Sequence, residues 1–380
     1  MTSTSYRVTL GILFVGCGNG MPAQVNGRDA SFDGRARPEA GRDGGIDAND
    51  GSARARDGGI DVNDGSAGPG DGGADAGGCS AGVPGVTCVA TTPSNRTNFV
   101  FAVDETNVYW GEQGSTMSDS VIVKASRAGG SVTTIATGSP ISITSDGTNV
   151  YWSRLASLTS ENQGLLLATP VGGGQVTTLA TDVFPDCLAT DADGVYWADR
   201  NAVMSIPKSG GAPVTLAQGS PYALALDATS AYWAGYGSVG QGIFKVAKNG
   251  GTVTPLFVPQ AGLVVEGCWG LALAGDYLVD ELQPSYDAAT PVQLIAVPTS
   301  GVGAPQVLVS NASEWPVVAN ATTAYWVGLG ATFQIHATPI AGGPTTLLAS
   351  PAAYRVPDMA LASDGTLYWL TNSQVQSIKP

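Results

Sequence analysis

From residue 101 onward short apolar runs alternate with polar turns, and one pattern keeps returning. The segments "FAVDETNVYW" (101–110), "ITSDGTNVYW" (143–152), "LATDADGVYW" (188–197), "LALDATSAYW" (224–233), "VVANATTAYW" (317–326) and "ALASDGTLYW" (360–369) each place an apolar run, an Asx-centred turn and a second run ending in Tyr-Trp. A seventh copy, "LALAGDYLVD" (271–280), is degenerate, with Val279 and Asp280 near the aromatic positions. Each run has the length and β-branched or aromatic content of a strand, and each turn has Asp, Asn or Gly where a hairpin needs them. Neighbouring residues of a strand point to opposite faces, so Tyr109 and Trp110 cannot share one. Two large apolar neighbours make sense only if both faces of the sheet are covered.

A second block follows each aromatic pair, as in "VIVKASRAGGSVTTIATG" (121–138). It reads as strand, Gly-rich hairpin, strand. One unit therefore holds four short antiparallel strands, and sheets of this size stacked face to face around an axis are the blades of a β-propeller. Tyr-Trp is then blade-to-blade packing. The last unit stops after three strands, whereas "VTCVATTP" (86–93) matches the fourth strand of the other units. The fold class predicted is all-β: a seven-bladed β-propeller of four-stranded antiparallel blades, closed by an N-terminal strand that leaves no unpaired terminus. Six blades is the alternative if the degenerate unit is an insertion.

Composition agrees, with 52 Gly among 380 residues and only 13% charged residues, which disfavours helices. The formal net charge of −14 argues against a nucleic-acid partner, because phosphate binding needs a clustered basic face. The same sign repels anionic lipid, so membrane attachment would have to be covalent or apolar.

The first 17 residues, "MTSTSYRVTLGILFVGC", combine Arg7, an apolar run and small residues before a cysteine, the layout of an export signal and too short to span a bilayer. The segment resembles a bacterial lipoprotein signal, with Phe14 where that motif usually has Leu. The resemblance implies acylation of Cys17 and, with Gly18 following, delivery to the outer membrane, facing the periplasm or the cell surface. Residues 18–78 are rich in Gly, Asp and Ala and contain the near-duplicates "RDGGIDANDGSA" (42–53) and "RDGGIDVNDGSA" (56–67). So few large apolar groups cannot offset chain entropy, so a disordered tether is expected. The spacing of "DANDG" and "DVNDG" fails the calcium-loop pattern and no closing Glu follows. The domains expected are therefore 1–17, 18–78 and a propeller over 79–380.

Four cysteines remain. A Cys79–Cys88 disulfide would pin the tether's end to the closing strand in an oxidising compartment. Cys187 and Cys268 are either bridged through mobile loops or two buried thiols. The only histidine, His336, aligns with Val123, Met204 and Phe244, which marks a packing position. Zinc spacing, Cys-x-x-Cys and the G-x-S-x-G elbow are absent, so no metal, cofactor or catalytic residue is predicted.

The loops leading into the innermost strands escape the repeat: "FPDC" (184–187), "SPYA" (220–223), "EGCWG" (266–270), "SEWP" (313–316) and "YRVPD" (354–358). Repeat positions that depart from the repeat are where function can differ from folding. They offer Asp186, Tyr222, Glu266, Trp269, Glu314, Trp315, Arg355 and Asp358 as a ligand-binding set at the channel mouth. Aromatic faces beside carboxylates suit sugars, cationic side chains or peptides. The expectation is a monomeric binding or scaffold module for protein or glycan partners. The alternative is a lyase or hydrolase working through Asp186, Glu266 and Glu314. The repeat region resembles bacterial surface-lipoprotein propellers and, more remotely, YWTD-type and TolB-like repeats; only Tyr-Trp of the YWTD tetrapeptide is kept, with Trp197-Ala198-Asp199 nearest the rest.

Overall fold

The computed structural model describes residues 84–93, 95–156, 164–265, 270–284, 292–312, 316–329, 332–351 and 356–380. The export signal, the tether, Cys17, Cys79, Cys268, Glu266, Trp269, Glu314, Trp315 and Arg355 lie outside the described residues. Those described form seven antiparallel sheets, each a meander of neighbouring strands. In blade 1 these are Thr97–Val103, Asn107–Gln113, Val121–Ser126 and Thr133–Thr137, from the channel outward. Blades 2 to 6 repeat this over 142–183, 187–218, 220–257, 263–312 and 317–349. In blade 7, Met359–Leu361, Leu367–Leu370 and Gln374–Ile378 are completed by Val86–Thr91.

The ring thus closes by pairing its two ends, with Val86 opposite Ile378 and Thr91 opposite Gln374. The degenerate unit is a true blade. Its innermost strand comes in two pieces, Leu263–Val265 and Ala272–Ala274, both paired with Tyr277–Pro284. The register puts Val279 where other blades have Tyr: it packs with Trp326 of blade 6. Asp280, one residue on, takes the place of Trp and is fully buried.

Tyr-Trp is the joint between blades. Tyr109 clusters with Ile143 and Trp152 of blade 2, while Trp110 turns the other way onto Tyr368 and Leu370 of blade 7. Both are fully buried. Burying a tyrosine requires a partner for its hydroxyl, and in blades 1, 2 and 4 the Asp five positions earlier accepts from it. Asp104 accepts from Tyr109 at 2.6 Å, Asp146 from Tyr151 at 3.0 Å and Asp227 from Tyr232 at 2.5 Å. The other carboxylate oxygen of each caps the hairpin, as when Asp104 Oδ1 accepts from the N–H groups of Thr106 and Asn107. This is the Asx-turn chemistry that the repeat predicts. In blade 3, Asp191 instead pairs with Lys248 of blade 4, and Lys208 of blade 3 reaches back to Asp146 of blade 2 at 2.7 Å.

Most indole N–H groups are met, in several ways, while that of Trp233 has no partner among the described residues. Trp110 donates to Glu112 at 3.1 Å and Trp197 to Asp199 at 3.0 Å, each an acid two residues on, whereas Trp152 and Trp326 use Thr169 and Thr338. The outer hairpins turn on Gly pairs such as Gly129 (φ +87°) and Gly130 (φ +123°), a conformation L side chains resist. His336 is a packing residue, as expected: it stacks on Trp326 with ring centroids 4.5 Å apart, and burial lowers its pKa.

If Tyr-Trp joins the blades, Trp110→Ala costs about 3–5 kcal/mol. Tyr232→Phe, which strands one Asp227 oxygen, costs about 1–2 kcal/mol. Urea unfolding of the full chain checks both, and equal costs would contradict the packing scheme.

Candidate functional site

The second strand of a blade runs antiparallel to the first, so the turn between its second and third strands lies at the same end as the loop leading into its first. At this end blades 3 and 4 bring together Phe184, Asp186, Cys187, Asp199, Arg200, Tyr222 and Tyr236. Tyr222 stands at a β-bulge, where the pairing slips between Pro221 and Ala223. Bulges re-aim side chains. Opposite it Gly235 has φ +151°, and a Cβ there would overlap the carbonyl oxygen of Ser220. Only glycine lets the second strand pass this close, and it delivers Tyr236 to Tyr222. Their rings meet edge to face, 5.9 Å between centroids, with Tyr236 48% exposed. Burial and the Tyr236 hydroxyl raise the Tyr222 pKa well above its usual value.

Cys187 ties the two blades. It is a buried thiol, and its Sγ donates to the Tyr222 carbonyl oxygen at 2.8 Å. Burial, then the charges of Asp186 and Asp358, push its pKa well up. Cys88 in the closing strand is disulfide-bonded.

Asp199 is engaged at both oxygens. Its Oδ2 accepts from Phe184 N–H at 2.9 Å and from the Trp197 indole, and its Oδ1 accepts from Arg200 N–H at 2.8 Å. The Arg200 guanidinium lies over the Phe184 ring, 4.0 Å from its centroid. Asp186 differs. Its backbone N–H donates to Ala198, yet its carboxyl makes no side-chain hydrogen bond among the described residues. Burial pushes its pKa up to about 7, with Arg200 opposing and Asp199 adding.

Asp358 leads into the innermost strand of blade 7, and its field reaches Cys187. Its oxygens accept from the backbone N–H groups of Phe101 and Met359, both at 2.8 Å. Phe101 follows Val100, a bulged residue at φ +44°, a strained conformation for a β-branched side chain. Ser142 makes the like bond from blade 2 to Leu188 N–H of blade 3 at 3.0 Å. Asp358 therefore clasps blade 7 to blade 1 across the ring's closure. Burial pushes its pKa up to about 7 against these two bonds.

Of the eight mouth residues read from the sequence, Asp186, Tyr222 and Asp358 are described. Asp186 and Tyr222 come together through Cys187; Asp358 belongs to another part of the rim. Asp199, Arg200 and Tyr236 were missed. Their signal was present in the register: they stand two or three residues past the tryptophan, where the second strand reaches the mouth. Among the described residues no three His, Cys, Asp or Glu side chains are grouped to hold a metal ion. No helix among them is long and apolar enough to cross a membrane.

No protein-family model and no curated protein matches the chain. Solved structures do resemble it. A streptogramin B lyase is 12% identical with a TM-score of 0.54, over 77% of this chain and 96% of that one. An oligogalacturonate lyase from Vibrio parahaemolyticus is 8% identical with a TM-score of 0.54, over 77% and 93%. The extracellular domain of a putative hybrid two component system from B. thetaiotaomicron is 11% identical with a TM-score of 0.52, over 77% and 39%. At these identities the likeness is one of fold.

The raised carboxyls fix the sign of a pH effect. Asp358 ionises near 7 when folded, against about 4 in an unfolded chain, so the folded state keeps a proton that the unfolded state has released. Stability therefore falls as pH rises through that window, by at most about 4 kcal/mol for this group. Asp358→Asn should flatten the decline in urea midpoint between about pH 5 and about pH 7; an unchanged slope would contradict the assignment.

Proposed function

We propose that the chain is a cell-envelope lipoprotein whose β-propeller binds protein or glycan partners at the mouth of its channel. The observation that carries this reading is the corner between blades 3 and 4. A bulge and a glycine hold the exposed Tyr236 against the half-buried Tyr222 near Asp186, whose carboxyl makes no side-chain hydrogen bond among the described residues. The Tyr-Trp pairs already join the blades without the Tyr222 and Tyr236 rings or the Asp186 carboxyl. The anchor part rests on the sequence: acylation of Cys17 would hold the protein to the outer membrane, and residues 18–78 would give it reach. A Cys79–Cys88 bridge would fasten that tether to the closing strand, and its Cys88 half is supported by the disulfide at that residue.

A second reading is a propeller lyase or hydrolase. One observation favours it: Asp186 holds its proton up to about 7, in the range useful to a general acid or base. Two of the similar structures are named as lyases. Asp186 would be the proton carrier, with Glu266 and Glu314 as its companions.

Two variants separate the readings. A binding module loses ligand with Tyr222→Ala and keeps it with Asp186→Asn within about tenfold. An enzyme keeps binding with Asp186→Asn and loses turnover. For the anchor, Cys17→Ser should move the protein from the membrane to the soluble fraction; retention in the membrane would overturn it.

A further inference from the structure

We infer that the corner formed by Tyr222, Tyr236 and Asp186 takes an uncharged saccharide, with a sugar ring laid against tyrosine and its hydroxyls on the Asp186 carboxyl. The inference rests on the mouth being a binding site. Two ligand chemistries use tyrosine beside a carboxylate: a cation over the ring, and a sugar whose C–H face meets the ring while its hydroxyls meet polar groups.

Local charge separates them. The described charges at the corner are Asp186, Asp199 and Arg200. Asp199 offers a ligand less, because three N–H donors already occupy most of its acceptor sites. Arg200, fixed over Phe184, balances it. Cys187 points at the Tyr222 carbonyl, and Asp358 is held by two backbone donors. What remains is Asp186, which keeps its proton to about 7. Below about pH 7 an ammonium group entering here would lose its hydration and find no net opposing charge among the described residues. A hydroxyl finds a carboxyl that both donates and accepts when protonated. Tyr236 supplies open ring surface, being 48% exposed.

The test uses the full chain on an array of neutral oligosaccharides, oligouronates and lysine-containing peptides, with the strongest binder then titrated calorimetrically. Neutral oligosaccharides should lead. Tyr222→Ala and Tyr236→Ala should each weaken binding about tenfold or more, and Tyr236→Phe by no more than about twofold. From about pH 6 to about pH 8 affinity should hold or fall, as Asp186 gives up the proton it donates. If lysine peptides lead, with affinity rising over that interval and lost in Tyr222→Ala, the saccharide inference is overturned while the binding site stands. Oligouronates in the lead would overturn it equally. Saccharide binding indifferent to both tyrosines would overturn the placement. If nothing on the array binds, the mouth reading falls with it.

Discussion

The rest of the structure depends on one constraint: adjacent residues of a strand face opposite ways. A blade that carries Tyr-Trp on its second strand must be covered on both sides, and only a closed ring covers every blade. Tyr109 faces blade 2 and Trp110 faces blade 7, and the later pairs continue the chain of contacts. The hydroxyl that each tyrosine carries inward would be costly unbonded. In blades 1, 2 and 4 the Asp at the head of the preceding hairpin accepts it and caps the turn with the same carboxylate. One acidic side chain thus links local turn chemistry to packing between blades.

Closure is the second requirement, met in two places. On the outside, Val86–Thr91 pairs with Gln374–Ile378. On the inside, Asp358 reaches from blade 7 to the Phe101 N–H, which the bulge at Val100 turns toward it. A strained residue of this kind costs of order 1–3 kcal/mol, and a buried carboxyl adds to that cost. Both occur where the two ends of the ring meet. With the walls set by repeating contacts, the loops leading into the innermost strands can depart from the repeat. At the corner of blades 3 and 4 that freedom is used to place two tyrosines and a half-buried carboxyl at the channel mouth.

The fold was legible because its determinants repeat. Tyr-Trp, the Asx turn and the Gly pair recur in register, and the match between "VTCVATTP" and the outer strands gave the closure. The degenerate unit was harder, since Val279 and Asp280 carry no aromatic signal, yet neighbours on both sides require a blade there. The site was legible only in part. Asp186 and Tyr222 stood out as departures from the repeat in the loops before the first strands. Tyr236 and Arg200 did not, because three residues past tryptophan is an ordinary strand end until the register shows that it meets those loops. Asp358 looked like a ligand residue and also proves to be a clasp: its partner, Phe101, is far away in sequence, and no local pattern announces a bond across the closure.

The most direct measurement is a crystal structure of the full chain soaked with a neutral oligosaccharide. A sugar ring against Tyr236 or Tyr222, with a hydroxyl on the Asp186 carboxyl, is the expected result. A ligand bound elsewhere, or the two tyrosines and Asp186 packed under the mouth loops with no room for one, would contradict the binding role proposed for this face.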